Sequence, residues 1–403
     1  MPNIKIGILR ERKIPSDKRV ALSPEQCLFL TQQYPNIDLV VEKSPIRCFS
    51  DSQYQNLGIS LVDDISDCDV LFGIKEVPKE NLIANKTYFY FSHTIKKQSY
   101  NRMLLSKMLD LNIKMIDYET LCDSNNKRLI GFGKYAGIVG CYNGFLTHGL
   151  RTKQYELKAA NKCFDRTELV QELKKVKLKN AKIILTGNGR VGEGALEIIN
   201  LLRIKRVDID SFLNDTFDYP VFVVLHSLDY NQRIDNKVSS KSDFYKNPTE
   251  YRSTFNRFSS VADIFIAGHF FGNGSPFLFT REDAKKPSFN IKTVADISCD
   301  IDGPVACTIR SSTITNPIYG YNPFTEQEDV FDKEDVISVM AVDNLPCELP
   351  KDASKDFGQV LVQSIIPSLL EGDKDTIIER ATICEGGKLT SRFEYLHQYV
   401  FGD

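Results

Sequence analysis

Two doubly wound α/β domains with a cleft between them are what this sequence predicts, and three observations carry that prediction. Strand-like and helix-like stretches alternate along the chain, without internal repeats or low-complexity tracts. Near the middle, the apolar run Ile183–Thr186 enters the turn Gly187-Asn188-Gly189-Arg190-Val191-Gly192. The helical pattern Ala195–Leu202 follows at once. Roughly 180 residues precede that turn, enough for a domain of their own.

The order of elements is read from local signals. Ile4–Leu9 continues the Met1–Asn3 start as a first strand, and the charged stretch Arg10–Lys13 after it is unlike a signal peptide. Ser23-Pro24-Glu25-Gln26 reads as a helix start, with Ser23 as N-cap, Pro24 in the first helical position and Gln26 closing a capping box. Strands are expected at Asp38–Val41, Asp69–Ile74, Tyr88–Phe91 and Ile113–Ile116. The glycine-rich stretch Leu129–Tyr142 is read as the passage into the second domain. There, strands are expected at Lys182–Thr186, Phe222–Leu225, Ile264–Ala267 and Thr293–Ile297, with a helix cap at Thr280–Asp283. Ala353–Leu370 has helical spacing and is expected to return to the first domain. Residues 1–132 with 346–403 thus form one domain and 133–345 the other. The stretch 210–260 shows no clear pattern.

Composition narrows the function. The 51 basic and 53 acidic residues nearly cancel and form no long run, so neither nucleic acid nor an anionic membrane is favoured as partner. A small molecule is. Ten cysteines without a C-x-x-C pair suit neither a zinc site nor a disulfide framework, and no metal is expected. No apolar run reaches membrane-spanning length, and a cytoplasmic protein is expected.

The glycine turn is a dinucleotide-binding fingerprint, which makes the domains Rossmann-like. Gly187 permits the tight turn, Gly189 lets backbone approach a pyrophosphate, and Gly192 lets helix pack on strand. Arg190 and Val191 open the helix whose free amides would hold phosphate. Asp208, 21 residues beyond Gly187, stands where a ribose-binding acid is expected for NAD, with Asp210 just after it. Arg203, Lys205 and Arg206 nearby suit the extra phosphate of NADP, so the residues leave NAD or NADP open.

In the first half, Arg19, Lys75-Glu76 and His93 follow a charged loop and two strands. Ligands of doubly wound folds gather at such strand ends. An exposed ion pair between Lys75 and Glu76 explains those two residues equally well by spacing alone. His148, His226, His269 and His397 show no metal spacing and read as structural, with His269 nearest a strand end.

Several segments together resemble a known family. Arg19–Pro24, Ile74–Pro78 and Phe91–Lys96 resemble the alanine dehydrogenase/transhydrogenase N-terminal superfamily. Ile130–Gly137 and Val342–Pro346 extend the likeness to saccharopine dehydrogenases. Tyr88–Lys96 and Ala295–Asp300 resemble the lysine–ketoglutarate reductase half of aminoadipate semialdehyde synthases. The resemblance implies a nicotinamide-dependent oxidoreductase interconverting saccharopine with L-lysine and 2-oxoglutarate. It implies Lys75 as base for the amine and His93 as acid–base group for water. Arg19, and Lys96 beside it, would hold substrate carboxylates, Glu76 would tune Lys75, and Phe132 would line the pocket. Asp300, Asp343 and Asn344 would lie by the nicotinamide. An alanine dehydrogenase-like enzyme or a nucleotide-binding regulatory subunit without turnover are the alternatives. Oligomeric state is not legible.

Overall fold

The computed structural model describes residues 4–402; Met1–Asn3, which the first-strand reading includes, lie outside them. The chain divides into two compact units, one running to Phe132 and resuming at Pro350, the other Gly133–Leu349. The second unit extends past the Pro346 boundary because the turn Leu345–Glu348 stays with it: Asn143 donates its amide to Glu348 at 2.8 Å.

The first unit holds β1 (Ile4–Ile8), β2 (Ile37–Glu42), β3 (Ser60–Val62), β4 (Val70–Lys75), β5 (Thr87–Phe91) and β6 (Lys114–Asp117). The second holds β7 (Lys182–Thr186), β8 (Lys205–Arg206), β9 (Val221–Leu225), β10 (Asn231–Arg233), β11 (Tyr251–Ser253), β12 (Ile264–Ala267) and β13 (Thr293–Asp296). It also holds β14 (Ile318–Asn322), β15 (Gln327–Asp329) and β16 (Ile337–Met340). The chain then returns β17 (Thr382–Glu385) and β18 (Lys388–Leu389) to the first unit.

Strand order in the first unit is β18-β17-β6-β5-β4-β1-β2-β3, parallel from β6 to β3 and closed by an antiparallel hairpin. The capping box at Ser23 forms as expected, and the Pro24–Gln33 helix starts there. Phe72 and Phe89 stack 4.5 Å apart inside this sheet, where aromatic area does most to exclude water. Helix resumes at Pro350, passes through a π turn at Leu361–Ile365, and buries Phe357, Leu361 and Ile365 in the same core.

The second unit has the order β15-β14-β16-β13-β12-β7-β9-β8, again parallel with an antiparallel edge. Strands β7, β12 and β13 form where the β-branched apolar runs predict them. β9 forms at the expected Phe222–Leu225, and the rest of the stretch 210–260, which shows no clear pattern, holds the β10–β11 hairpin and a short helix at Lys241–Lys246. The glycine-rich passage carries the chain into the second unit as expected, and does so as a helix. Gly133–Thr152 is a 20-residue helix, and its small residues serve close packing. A Cβ on Gly137 would lie 2.0 Å from the Val191 carbonyl, and one on Gly194 2.0 Å from that of Lys134. Contact that tight outweighs the poor helix propensity of glycine.

Burial pushes the Glu348 carboxyl up to about 7 despite the Asn143 bond. An unfolded glutamate ionises near about 4.3, so between those values the folded state keeps a proton the unfolded chain has lost. Stability therefore falls as pH rises through that window. Glu348→Gln should raise the melting temperature by roughly 2–6 °C at pH 8 and leave it nearly unchanged at pH 4. A thermal melt showing the same effect at both pH values would contradict that origin.

Candidate functional site

In the first unit β6, β5, β4 and β1 are consecutive and parallel, so their carboxyl ends lie side by side. Lys75 closes β4, and it is in register with Phe91 of β5, two residues before His93. Glu119 follows β6. Sheet order alone thus brings the amine, the imidazole and a carboxylate to one edge.

His93 sits in the left-handed region at φ 56°, which histidine tolerates better than most side chains. Its ring stacks on Phe91 at 6.2 Å, and Nδ1 lies 3.4 Å from the Glu119 carboxylate. Lys96 reaches the same carboxylate at 3.2 Å and Arg128 at 3.9 Å. Burial opposes ionisation of Glu119, but His93, Lys96 and Arg128 together outweigh it and hold its carboxyl down at about 2. Beneath them, buried Asp117 accepts the amides of Ser92 at 3.1 Å and Glu119 at 2.7 Å, tying the two strand ends together. Glu119 has no sequence signature; its partnership with His93 exists only because β5 and β6 are neighbours.

The Lys75 side is equally braced. Glu11 accepts the backbone amides of Ile74 at 2.7 Å and Lys75 at 2.9 Å. Burial, with Asp17 close by, pushes the Glu11 carboxyl up to about 7. Glu76 is paired with Lys13, so much of its charge is answered there rather than at Lys75. Arg19, the expected carboxylate ligand, is held along one edge. It is 4% exposed, and Asp17 already holds its Nε and Nη2 edge at 3.0 and 2.6 Å. Burial raises the Asp17 carboxyl, but Arg19 outweighs it and leaves Asp17 lowered overall. The Arg19 guanidinium also lies 4.1 Å over the Phe132 ring, and Phe132 stacks on Phe357 at 4.6 Å. Phe132 therefore belongs to an aromatic cluster as much as to any pocket.

In the second unit the glycine turn has the form a phosphate cradle requires. Gly187 has φ +93°, and a Cβ there would lie 2.3 Å from the Gly268 carbonyl. A Cβ on Gly192 would lie 2.2 Å from the Gly187 carbonyl. Gly189 caps the Arg190–Leu201 helix at ordinary φ −88°, and its Cβ would meet nothing within 4 Å. No fold requirement keeps that position empty; a ligand's backbone approach would. Gly187–Val191 line a concavity of about 360 Å³ together with His226, Tyr230, Tyr245, His269 and Phe270. His269, singled out at a strand end, thus faces the turn, and so does His226, expected to be structural. Burial pushes the His269 imidazole down to about 4, and its Nδ1 lies 2.8 Å from the Thr186 hydroxyl.

The remaining expected cofactor residues are scattered. Asp208 is not beside the turn: it follows β8, the outer strand, and accepts the Ser211 amide at 2.9 Å as a helix cap. Asp300 and Asp343 are exposed on the loops after β13 and β16. Burial first, then Asp296 and these two carboxylates, push the Cys299 thiol up to about 12. Asn344 precedes the Leu345–Glu348 turn. Among the described residues no group of three or more acidic, histidine or cysteine side chains could hold a metal. Among these residues none of the ten cysteines is in a disulfide, and no helix is long and apolar enough to cross a membrane.

Fold and site define a two-unit α/β protein with a nucleotide-type glycine cradle on one unit and a braced lysine–histidine pair on the other. Residues 7–139 match the family model of the alanine dehydrogenase/PNT N-terminal domain. Over 97% of its length the chain is 30% identical to an alpha-aminoadipic semialdehyde synthase of Arabidopsis thaliana, covering 41% of that protein. It is 26% identical over 98% of its length to the mitochondrial alpha-aminoadipic semialdehyde synthase of Mus musculus, covering 47% of it. The chain therefore spans under half the length of these synthases. It is 25% identical over 90% of its length to a saccharopine dehydrogenase (NAD(+), L-lysine-forming) of Yarrowia lipolytica, of which it covers 92%. An L-alanine dehydrogenase structure shares the fold, with TM-score 0.65 and 16% identity over 98% of this chain and 100% of that one. A transhydrogenase from Sinorhizobium meliloti does so at TM-score 0.54 and 14% identity, covering 96% of this chain and 98% of that one. The chain is similar to aminoadipic semialdehyde synthases and saccharopine dehydrogenases, the likeness its motifs lead one to expect.

Proposed function

We propose that this chain interconverts saccharopine with L-lysine and 2-oxoglutarate by hydride transfer with a nicotinamide dinucleotide. The observation that carries the reading is the placement of Lys75 and His93 on the ends of neighbouring parallel strands, each braced by a carboxylate from the next element. The glycine cradle suits the dinucleotide, because the space beside Gly189 serves nothing within the protein. When bound, the nicotinamide supplies a hydride acceptor or donor.

The residues then divide the proton work. Lys75 takes the proton from the secondary amine of saccharopine as hydride leaves the glutarate α-carbon, giving an imine. A lysine ordinarily titrates near about 10.4, so it serves as base only where burial or nearby cations favour its neutral form. His93 takes a proton from the water that attacks the imine carbon, with the Glu119 carboxylate at ion-pair distance, 3.4 Å, from Nδ1. Lys75 returns its proton to the nitrogen as the water adds, giving the carbinolamine. On collapse it takes the hydroxyl proton and passes it to the departing lysine nitrogen, while the proton held by His93 goes to solvent. Arg19 and Lys96 are assigned to substrate carboxylates, Asp17 orienting one edge of the Arg19 fork as Glu119 does Lys96. Asp300, Asp343 and Asn344 keep their proposed place by the nicotinamide, at carboxyl ends of parallel strands.

The pure protein incubated with lysine, 2-oxoglutarate and NADH or NADPH should consume reduced nicotinamide. Consumption with pyruvate and ammonia instead would favour an alanine dehydrogenase-like enzyme. No consumption with either pair would favour a regulatory subunit. Cytoplasmic residence stays a proposal beside the mitochondrial name of the mouse relative, and cell fractionation separates the two.

A further inference from the structure

The sheet order of the second unit changes where a dinucleotide's adenosine ribose is read. The rule that places a ribose-binding acid about 20 residues past the first glycine assumes that the chain re-enters the sheet next to the glycine-turn strand. Here it does not. After the Arg190–Leu201 helix the chain forms β8 on the outside, and only afterwards fills the place beside β7 with β9. The strand end that matters is therefore that of β9, which continues as His226-Ser227-Leu228-Asp229.

We infer that the adenosine ribose is read at the end of β9 by Asp229, not by Asp208, and that this makes the site selective for NAD(H) over NADP(H). The inference rests on the dinucleotide-binding reading above. His226 and Ser227 line the same concavity as Gly187–Val191, and Asp229 lines the groove that adjoins it across His226. One Asp229 oxygen accepts the His226 amide at 2.6 Å, which holds the carboxylate at the strand end. Its geometry suits a sugar hydroxyl, a donor that a carboxylate can accept.

The same groove is unsuited to a 2′-phosphate. Asp208 and Asp210 form its other wall, so three carboxylates face it. Of the three basic residues that the sequence offers to such a phosphate, only Arg206 lines the groove. Lys205 is turned away, its Nζ 3.2 Å from the Tyr219 hydroxyl and 5.4 Å from the ring centre. Arg257 is close but donates to the Asp229 carbonyl at 2.7 Å. A doubly charged phosphate among these groups meets like charge that a hydroxyl does not.

The test is equilibrium binding of NADH and NADPH to the full chain, by calorimetry, for wild type, Asp229→Asn and Asp208→Asn. Asparagine keeps an oxygen for the His226 amide, and thermal melts check that each variant folds. Wild type should bind NADH about 10–100-fold more tightly than NADPH. Asp229→Asn should narrow that ratio to about threefold or less, while Asp208→Asn should change it far less. NADPH bound as tightly as NADH by wild type overturns the inference, as does a ratio that collapses in Asp208→Asn but not in Asp229→Asn. If neither nucleotide binds wild type, the dinucleotide reading itself falls, and this inference with it.

Discussion

Turnover should fall by about 10²–10⁴-fold when Lys75 is replaced by methionine or His93 by glutamine, with dinucleotide affinity nearly unchanged. The size follows from what positioned acid–base groups ordinarily contribute, and the direction from their bracing. Glu11 pins the Lys75 amide and Glu119 meets the His93 ring, so each side chain arrives with its backbone or ring already oriented. Methionine retains the unbranched stem of Lys75, which confines the change to the amine. His93 needs more care because its φ of 56° disfavours most replacements. Asparagine tolerates that region well, so His93→Asn should keep the stability of wild type and lose turnover as glutamine does. The double variant should lose less than the product of the single losses, since residues acting on one proton path are not additive. Steady-state turnover, nucleotide titration and thermal melts on the same preparations decide the matter. Folded variants with near-normal turnover would leave the motif resemblance describing the fold alone.

The bracing explains which parts of the molecule were readable beforehand. The Ser23 cap, the Lys182–Thr186 strand and the Gly187–Gly192 turn depend on residues within a few positions of one another. Local hydrogen bonding and steric rules specify them, and sequence displays those directly. Lys75 and His93 were legible because each directly follows a strong apolar strand. Strand order was not. It placed β8 outside β9, which sets Asp208 one strand farther from the glycine turn than the spacing rule assumes, and it set β6 beside β5, which delivered Glu119 to His93. The pairing of Arg19 was hidden for a related reason: Asp17, two residues away, takes one edge of its fork only once both are buried. The helix at Gly133–Thr152 was hidden by its own glycines, whose purpose appears only once the opposing helix is in place.

Gly189→Val should weaken dinucleotide binding by about 100-fold or more while the unliganded protein stays folded. Among the turn glycines only this position permits so clean a separation. A side chain at Gly187 or Gly192 would collide with backbone carbonyls at 2.3 and 2.2 Å, so lost binding there would report a broken turn. At Gly189 φ is −88° and a Cβ meets nothing within 4 Å, so the fold itself accommodates a larger residue. The cost is confined to the helix cap, where glycine to an apolar residue loses about 1 kcal/mol. Ligand space is what valine removes, because phosphate oxygens reach the amides of the following turn only past a bare Cα. The measurement is a thermal melt with and without NADH: wild type should show a nucleotide-dependent rise in melting temperature and Gly189→Val should not. Gly189→Ser supplies a capping hydroxyl in the same extended conformation. It should therefore hold the unliganded melting temperature at or above wild type while binding more weakly than wild type and more tightly than valine. Equal nucleotide binding by wild type and Gly189→Val would mean that the cradle is a tight βα turn and nothing more.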